Sequence, residues 1–125
     1  MKNRLFRVWP MAVLLAVAPL VSAHHSQSGY ETDKTITVKA TVTRFEWTNP
    51  HCQIFFDGTD DQGNAQHWVV EMPPPSVQAE KGWTRKSLNP GDLVTVIFHP
   101  GKNGMSTGLL VKVVLADGHE LMNRP

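Results

Sequence analysis

A single cysteine, Cys52, stands in the chain, so no disulfide can close within it and its stability must come from packing. Long apolar runs are also missing. The longest, MAVLLAVAPL over residues 11–20, is about half the ~20 residues that a bilayer core requires, and it is broken by Pro19. No cysteine stands just after that run, which leaves lipid anchoring without an acceptor. Catalytic signatures are equally scarce: there is no Gly-x-Ser-x-Gly elbow, no phosphate-cradling glycine loop and no His-Glu-x-x-His zinc motif. Catalysis is therefore not expected. Asp57, Asp60 and Asp61 share a hairpin loop, but the glycine and distal glutamate of a calcium loop are lacking, and a solvated turn accounts for them.

What is present begins with a leader. Lys2, Arg4 and Arg7 precede the apolar run, and Val21-Ser22-Ala23 supplies small residues where a signal peptidase must fit the chain. Residues 1–23 are thus expected to be removed between Ala23 and His24, sending the product to the periplasm or outside the cell with no later insertion into a membrane. The leader takes three basic residues and none of the eleven acidic ones, which turns the mature chain net negative. A nucleic-acid partner is excluded on that ground, because a phosphate backbone demands a basic surplus. About 100 residues remain, enough for one modest domain spanning residues 24–125, with a flexible lead-in at 24–34.

Short apolar-patterned runs alternate with Gly, Pro, Asn and Asp clusters, a spacing that favours β structure. In the first run Ile36, Val38, Ala40 and Val42 share one face while Thr35, Thr37, Lys39, Thr41 and Thr43 take the other. The phase then slips, since Phe45 and Trp47 become the large apolar positions, and one extra residue is what a β-bulge supplies. A second run over residues 51–57 carries Cys52, Ile54 and Phe56 on one side, and a third alternates Trp68, Val70 and Met72. Three prolines, Pro73 to Pro75, end the pairing, and residues 76–81 suit a short helix capped by Ser76 and stopped at Gly82. Asn89-Pro90-Gly91-Asp92 reads as a type II turn launching a fourth run with Val94, Val96 and Phe98, and a fifth covers residues 107–115. Asp117-Gly118 turns the chain into a short tail around Glu120 and Leu121. Three strands, a small helix and two strands predict an all-β, five-stranded OB-like barrel, with a small β-sandwich as the alternative.

Six histidines follow the leader, and His24 and His25 stand first in the expected mature chain. A free amino terminus on histidine offers its α-amine and its imidazole to one ion, a chelate that suits Cu(II) because copper favours nitrogen ligands in a tetragonal plane. His51 is the first candidate for a further imidazole, with His25, His67 and His99 behind it. The other reading of His24 and His25 is a plain polar start to the chain. Adjacent strand residues point to opposite faces, so His51 and Cys52 cannot both hold one ion, and Cys52 falls with the core. His67, on the face of Val69 and Glu71, reads as a surface residue paired with a carboxylate, and His99 and His119 lie beside turns. Phe45, Trp47, Trp68 and Trp83 either line a ligand groove or fill the barrel, and Trp47, His67 and Trp83 mark the possible ligand face.

Ala23-His24-His25-Ser26, Glu46-Trp47-Thr48-Asn49-Pro50-His51, Trp68-Val69-Val70-Glu71-Met72, Gly82-Trp83, Ser87-Leu88-Asn89-Pro90-Gly91-Asp92 and Leu115-Ala116-Asp117-Gly118 together carry a resemblance. The sequence resembles an uncharacterised family, a domain of unknown function found in small exported bacterial proteins. That resemblance implies an exported β-barrel domain and supplies no activity, substrate or cofactor. Two functional expectations result. The first is an exported binding or interaction module for a protein, peptide or small molecule; the alternative is a copper protein using His24 with His51 or a neighbouring histidine.

Overall fold

The computed structural model describes residues 27–59 and 62–123, so the leader, His24 and His25 lie outside the described residues. Six strands, β1 (Ile36–Glu46), β2 (Cys52–Thr59), β3 (Ala65–Met72), β4 (Leu93–Pro100), β5 (Thr107–Val114) and β6 (Glu120–Met122), are joined in the order β3-β2-β1-β4-β5-β6. A parallel pairing of β3 with β5, from Val69 opposite Thr107 to Glu71 opposite Leu109, closes the first five into a barrel. Closure removes the edges that a sheet of this size would expose. The expected OB-like barrel is therefore present, with its helix between the third and fourth strands and one added strand.

Period-two alternation fills the interior. Val38, Ala40 and Val42 of β1, Cys52, Ile54 and Phe56 of β2, Trp68, Val70 and Met72 of β3, and Val94, Val96 and Phe98 of β4 are all buried. The expected phase slip is a bulge: Val42 faces Phe56 and Arg44 faces Phe55, leaving Thr43 without an opposite residue. The bulge turns Arg44 outward, where its guanidinium lies 3.8 Å from the centre of the Phe55 ring. On β5, Gly108 permits close packing that no other residue could, because a Cβ there would lie 2.2 Å from the Phe98 ring.

Two local expectations are corrected. The helix, α1, covers Pro75–Ala79 and is preceded by Pro74 as its N-cap, with no side-chain capping bond, so Ser76 sits inside the first turn. Pro75 needs no hydrogen-bond acceptor and arrives with its φ set for the helix, which makes a polar cap dispensable. The tail is a strand: β6 pairs with β5 across the Asp117-Gly118 turn, drawn in by buried Leu121 and Asn123. The Asn89–Asp92 turn forms as expected, with the Asp92 amide donating to the Asn89 carbonyl (3.1 Å) and Gly91 at φ 92°. The Asn49-Pro50 peptide bond is cis.

Strand register assigns two ends to the barrel. At the upper end lie the β1–β2 connection, α1, the start of β4 and β6; at the lower end lie the start of β1, the β2–β3 hairpin and the β4–β5 loop. Residues 27–34, expected to be flexible, run along the outside and are tied down. Tyr30 bridges to Gly101, the Glu31 amide donates to the Pro100 carbonyl (2.9 Å), and His99 Nδ1 donates to the Lys34 carbonyl (2.6 Å). Among the described residues no helix is long and apolar enough to cross a membrane.

Candidate functional site

The barrel interior is filled by side chains, so candidate chemistry belongs to its surface and its mouths. Outward residues of adjacent strands form a belt, with Gln53 of β2, Glu71 of β3, Leu109 of β5 and His99 of β4 lying side by side. Glu71 is the centre of this belt. On one side its Oε2 lies 3.7 Å from His51 Nδ1, and on the other it accepts the phenol of Tyr30. Burial, then the hydrogen bond and charge of Glu71, hold the Tyr30 proton on well above the usual tyrosine range. His51 and Glu71 are both partly buried, and the Thr48 hydroxyl reaches the His51 carbonyl at 3.4 Å.

The remaining expected site residues are dispersed. His67 is outward on β3, its side chain 91 % exposed, with its Nδ1 against Asp57 Oδ1 on the neighbouring strand. The carboxylate pairing read for it is present, but it lies toward the hairpin end of β2, whereas His51 immediately precedes the other end. Trp47 is partly buried beside Phe45, with ring centres 6.0 Å apart. Trp83 is 1 % exposed and donates its indole proton to the Met122 carbonyl at 2.9 Å, which makes it part of the core. Trp47, His67 and Trp83 are thus not brought together on one face. Cys52 is fully buried among apolar residues, as its parity requires, and burial pushes its thiol upward from the ordinary value, opposed in part by the Thr48 backbone and Arg85.

Among the described residues no three His, Cys, Asp or Glu side chains gather into a metal-sized cluster. His51 has Glu71 beside it, and His24 and His25 fall outside the description. His99, unlike His67, belongs to the belt, opposite Leu109. Its Nδ1 proton is committed to the Lys34 carbonyl, which leaves Nε2 as the ring's free lone pair in the neutral form. Sequence reasoning missed Tyr30 and the bridging role of Glu71. Parity alone had placed Glu71 outward, but nothing local to Tyr30 signals its contact with a strand some forty residues later.

The profile of a family of unknown function, DUF6152, matches residues 12–112, and the chain belongs to that family. No curated protein and no solved structure matches the chain significantly.

Proposed function

We propose that this member of the family is an exported β-barrel binding module, acting in the periplasm or outside the cell, whose ligand is Cu(II). The α-amine and imidazole of His24 and the imidazole of His51 are its nitrogen donors. One observation supports the reading: the carboxylate of Glu71 lies between His51, 3.7 Å from its Nδ1, and the Tyr30 phenol. Tyr30 lies six positions after His24, a leash of at most about 20 Å, long enough to return across one shared carboxylate. Glu71 also stands 3.7 Å from His51 Nδ1, on the side where imidazole ligands commonly have an outer carboxylate. Three nitrogens in a plane favour Cu(II) over the oxygen-seeking cations.

The test is a Cu(II) titration of the processed protein, followed by its ligand-field spectrum and electron paramagnetic resonance. Acetylating the α-amine of His24 removes it as a ligand and should weaken binding by well over tenfold. His51→Ala should cost a further nitrogen in the spectrum, and Glu71→Gln about tenfold in affinity. Equal binding by the free and the acetylated amino terminus overturns the terminal-amine chelate. Mass spectrometry of the protein from the periplasmic or secreted fraction should find His24 at its start, and an intact leader overturns the compartment.

A further inference from the structure

The lower mouth of the barrel is not sealed. A cleft of about 480 Å³ opens there, lined by Ile36, Gln66, Trp68, Pro100, Gly101 and Met105. That volume falls in the ordinary range for small-molecule sites, and barrel mouths are a recurrent place for them. Trp68 is 4 % exposed, inward on β3, its ring 5.1 Å from that of Phe98. Its indole N–H is buried and has no acceptor among the described residues. A buried donor without a partner is rare, because it forfeits its water bond and receives nothing in return.

The remaining lining selects the kind of molecule that could supply the acceptor. Glu31 and Lys34 stand at the rim and pair with each other at 2.9 Å, so the cleft carries no net charge to offer an ion. The Gln66 Oε1 is already engaged, accepting the Ser106 hydroxyl at 2.8 Å. Ile36, Pro100 and the soft, 54 % exposed Met105 give an apolar wall that adapts to a flat or branched body. We infer that this mouth is a second ligand site, for an uncharged small molecule with an apolar body and one carbonyl-type oxygen that accepts the Trp68 indole proton. It shares none of the side chains of the copper proposal and goes beyond it.

The test uses the processed protein with a chelator present, so its outcome is separate from that of the copper experiment. Acetophenone serves as the probe, ethylbenzene as the same shape without an acceptor, and benzoate as the charged counterpart. Nitrogen-15 spectra resolve the indole signals, and Trp68→Phe assigns the Trp68 signal by its loss. Acetophenone should move the Trp68 signal downfield in a saturable way while the Trp83 signal, already bonded to Met122, stays in place. Its affinity should exceed that of ethylbenzene by about fivefold, the worth of one ordinary hydrogen bond, and that margin should vanish in Trp68→Phe. Should Trp68→Phe fail to fold, Met105→Asp at the exposed rim provides the second variant and should weaken acetophenone binding by about fivefold. A Trp68 signal that does not respond, equal affinity for acetophenone and ethylbenzene, or stronger binding of benzoate would each overturn the proposal.

Discussion

Trp83 and Trp68 occupy opposite ends of the barrel, and the two ends treat the same side chain differently. At the upper end the Trp83 indole donates to the Met122 carbonyl, Gln78 Nε2 donates to Asn123 Oδ1 (3.1 Å), and Asn123 Nδ2 donates to the Leu110 carbonyl (2.6 Å). The Lys81 ammonium donates to the Asn123 carbonyl, and the Asn123 amide donates to Val111. Gln78 Oε1 has no partner among the described residues, a lesser cost than an orphaned donor because carbonyl-type oxygens go under-satisfied more often. At the lower end the Trp68 donor has no acceptor among the described residues and the lining is open. A plug with its donors spent is a structural cap; a mouth with a donor unspent has capacity for a ligand.

The largest effect expected from this contrast is at the cap. Trp83→Ala empties a fully buried site against Phe45, whose ring centre is 5.9 Å away, and should cost about 3–5 kcal/mol in a urea unfolding curve. Asn123→Ala comes next. It strips partners from the buried Gln78 amide and the Leu110 carbonyl, and each orphaned group costs about 1–3 kcal/mol. A loss below about 1 kcal/mol for Asn123→Ala would mean that water replaces the network, and the cap would then resemble the mouth.

A paired substitution probes the contrast directly. Trp83→Phe keeps most of the ring but orphans the Met122 carbonyl, so it should destabilise by about 1–2 kcal/mol beyond the loss of ring volume. Trp68→Phe removes a donor with no acceptor among the described residues, so only the volume term remains and its cost should be smaller. Equal losses at the two positions would show that the Trp68 N–H is satisfied after all.

Much of the barrel was legible because its information is local. Alternating Val38, Ala40 and Val42, the phase slip resolved at Thr43, the Pro90-Gly91 turn and the parity of Cys52 each concern neighbours on one strand or turn. The misreadings were of two kinds. Ser76 looked like a cap because polar caps are the rule, but Pro75 at the first helical position removes the need. Glu120 and Leu121 looked like a tail because three residues are too few for alternation to show. The candidate site was less legible because its contacts are distant in sequence. Trp68 and Trp83 both read as inward aromatics, and what separates them is a carbonyl 39 residues beyond Trp83. Tyr30 likewise carries no local sign that Glu71 awaits it.

The smallest expected effect is electrostatic and concerns Tyr30 beside the Glu71 belt and Cys52 in the core. Tyr30 and Cys52 are neutral when protonated, and their ordinary values are 10.0 and 9.0. Burial raises both in the folded chain, with Glu71 adding to the rise at Tyr30. The unfolded chain therefore releases these protons first as the pH climbs. Their contribution to stability is complete below about pH 9 and declines as the pH rises toward the folded values. The urea midpoint should be level between about pH 7 and 9 and then fall. Lys34, raised by its bond to Glu31, adds the same sign above 10.5. Tyr30→Phe should flatten the descent near pH 10 more than Cys52→Ala flattens its onset near pH 9, because Thr48 and Arg85 oppose the shift at the thiol whereas Glu71 reinforces it at the phenol. A midpoint that rises above pH 9, or a Tyr30→Phe curve as steep as the parent's, would show that Glu71 does not hold Tyr30 in solution.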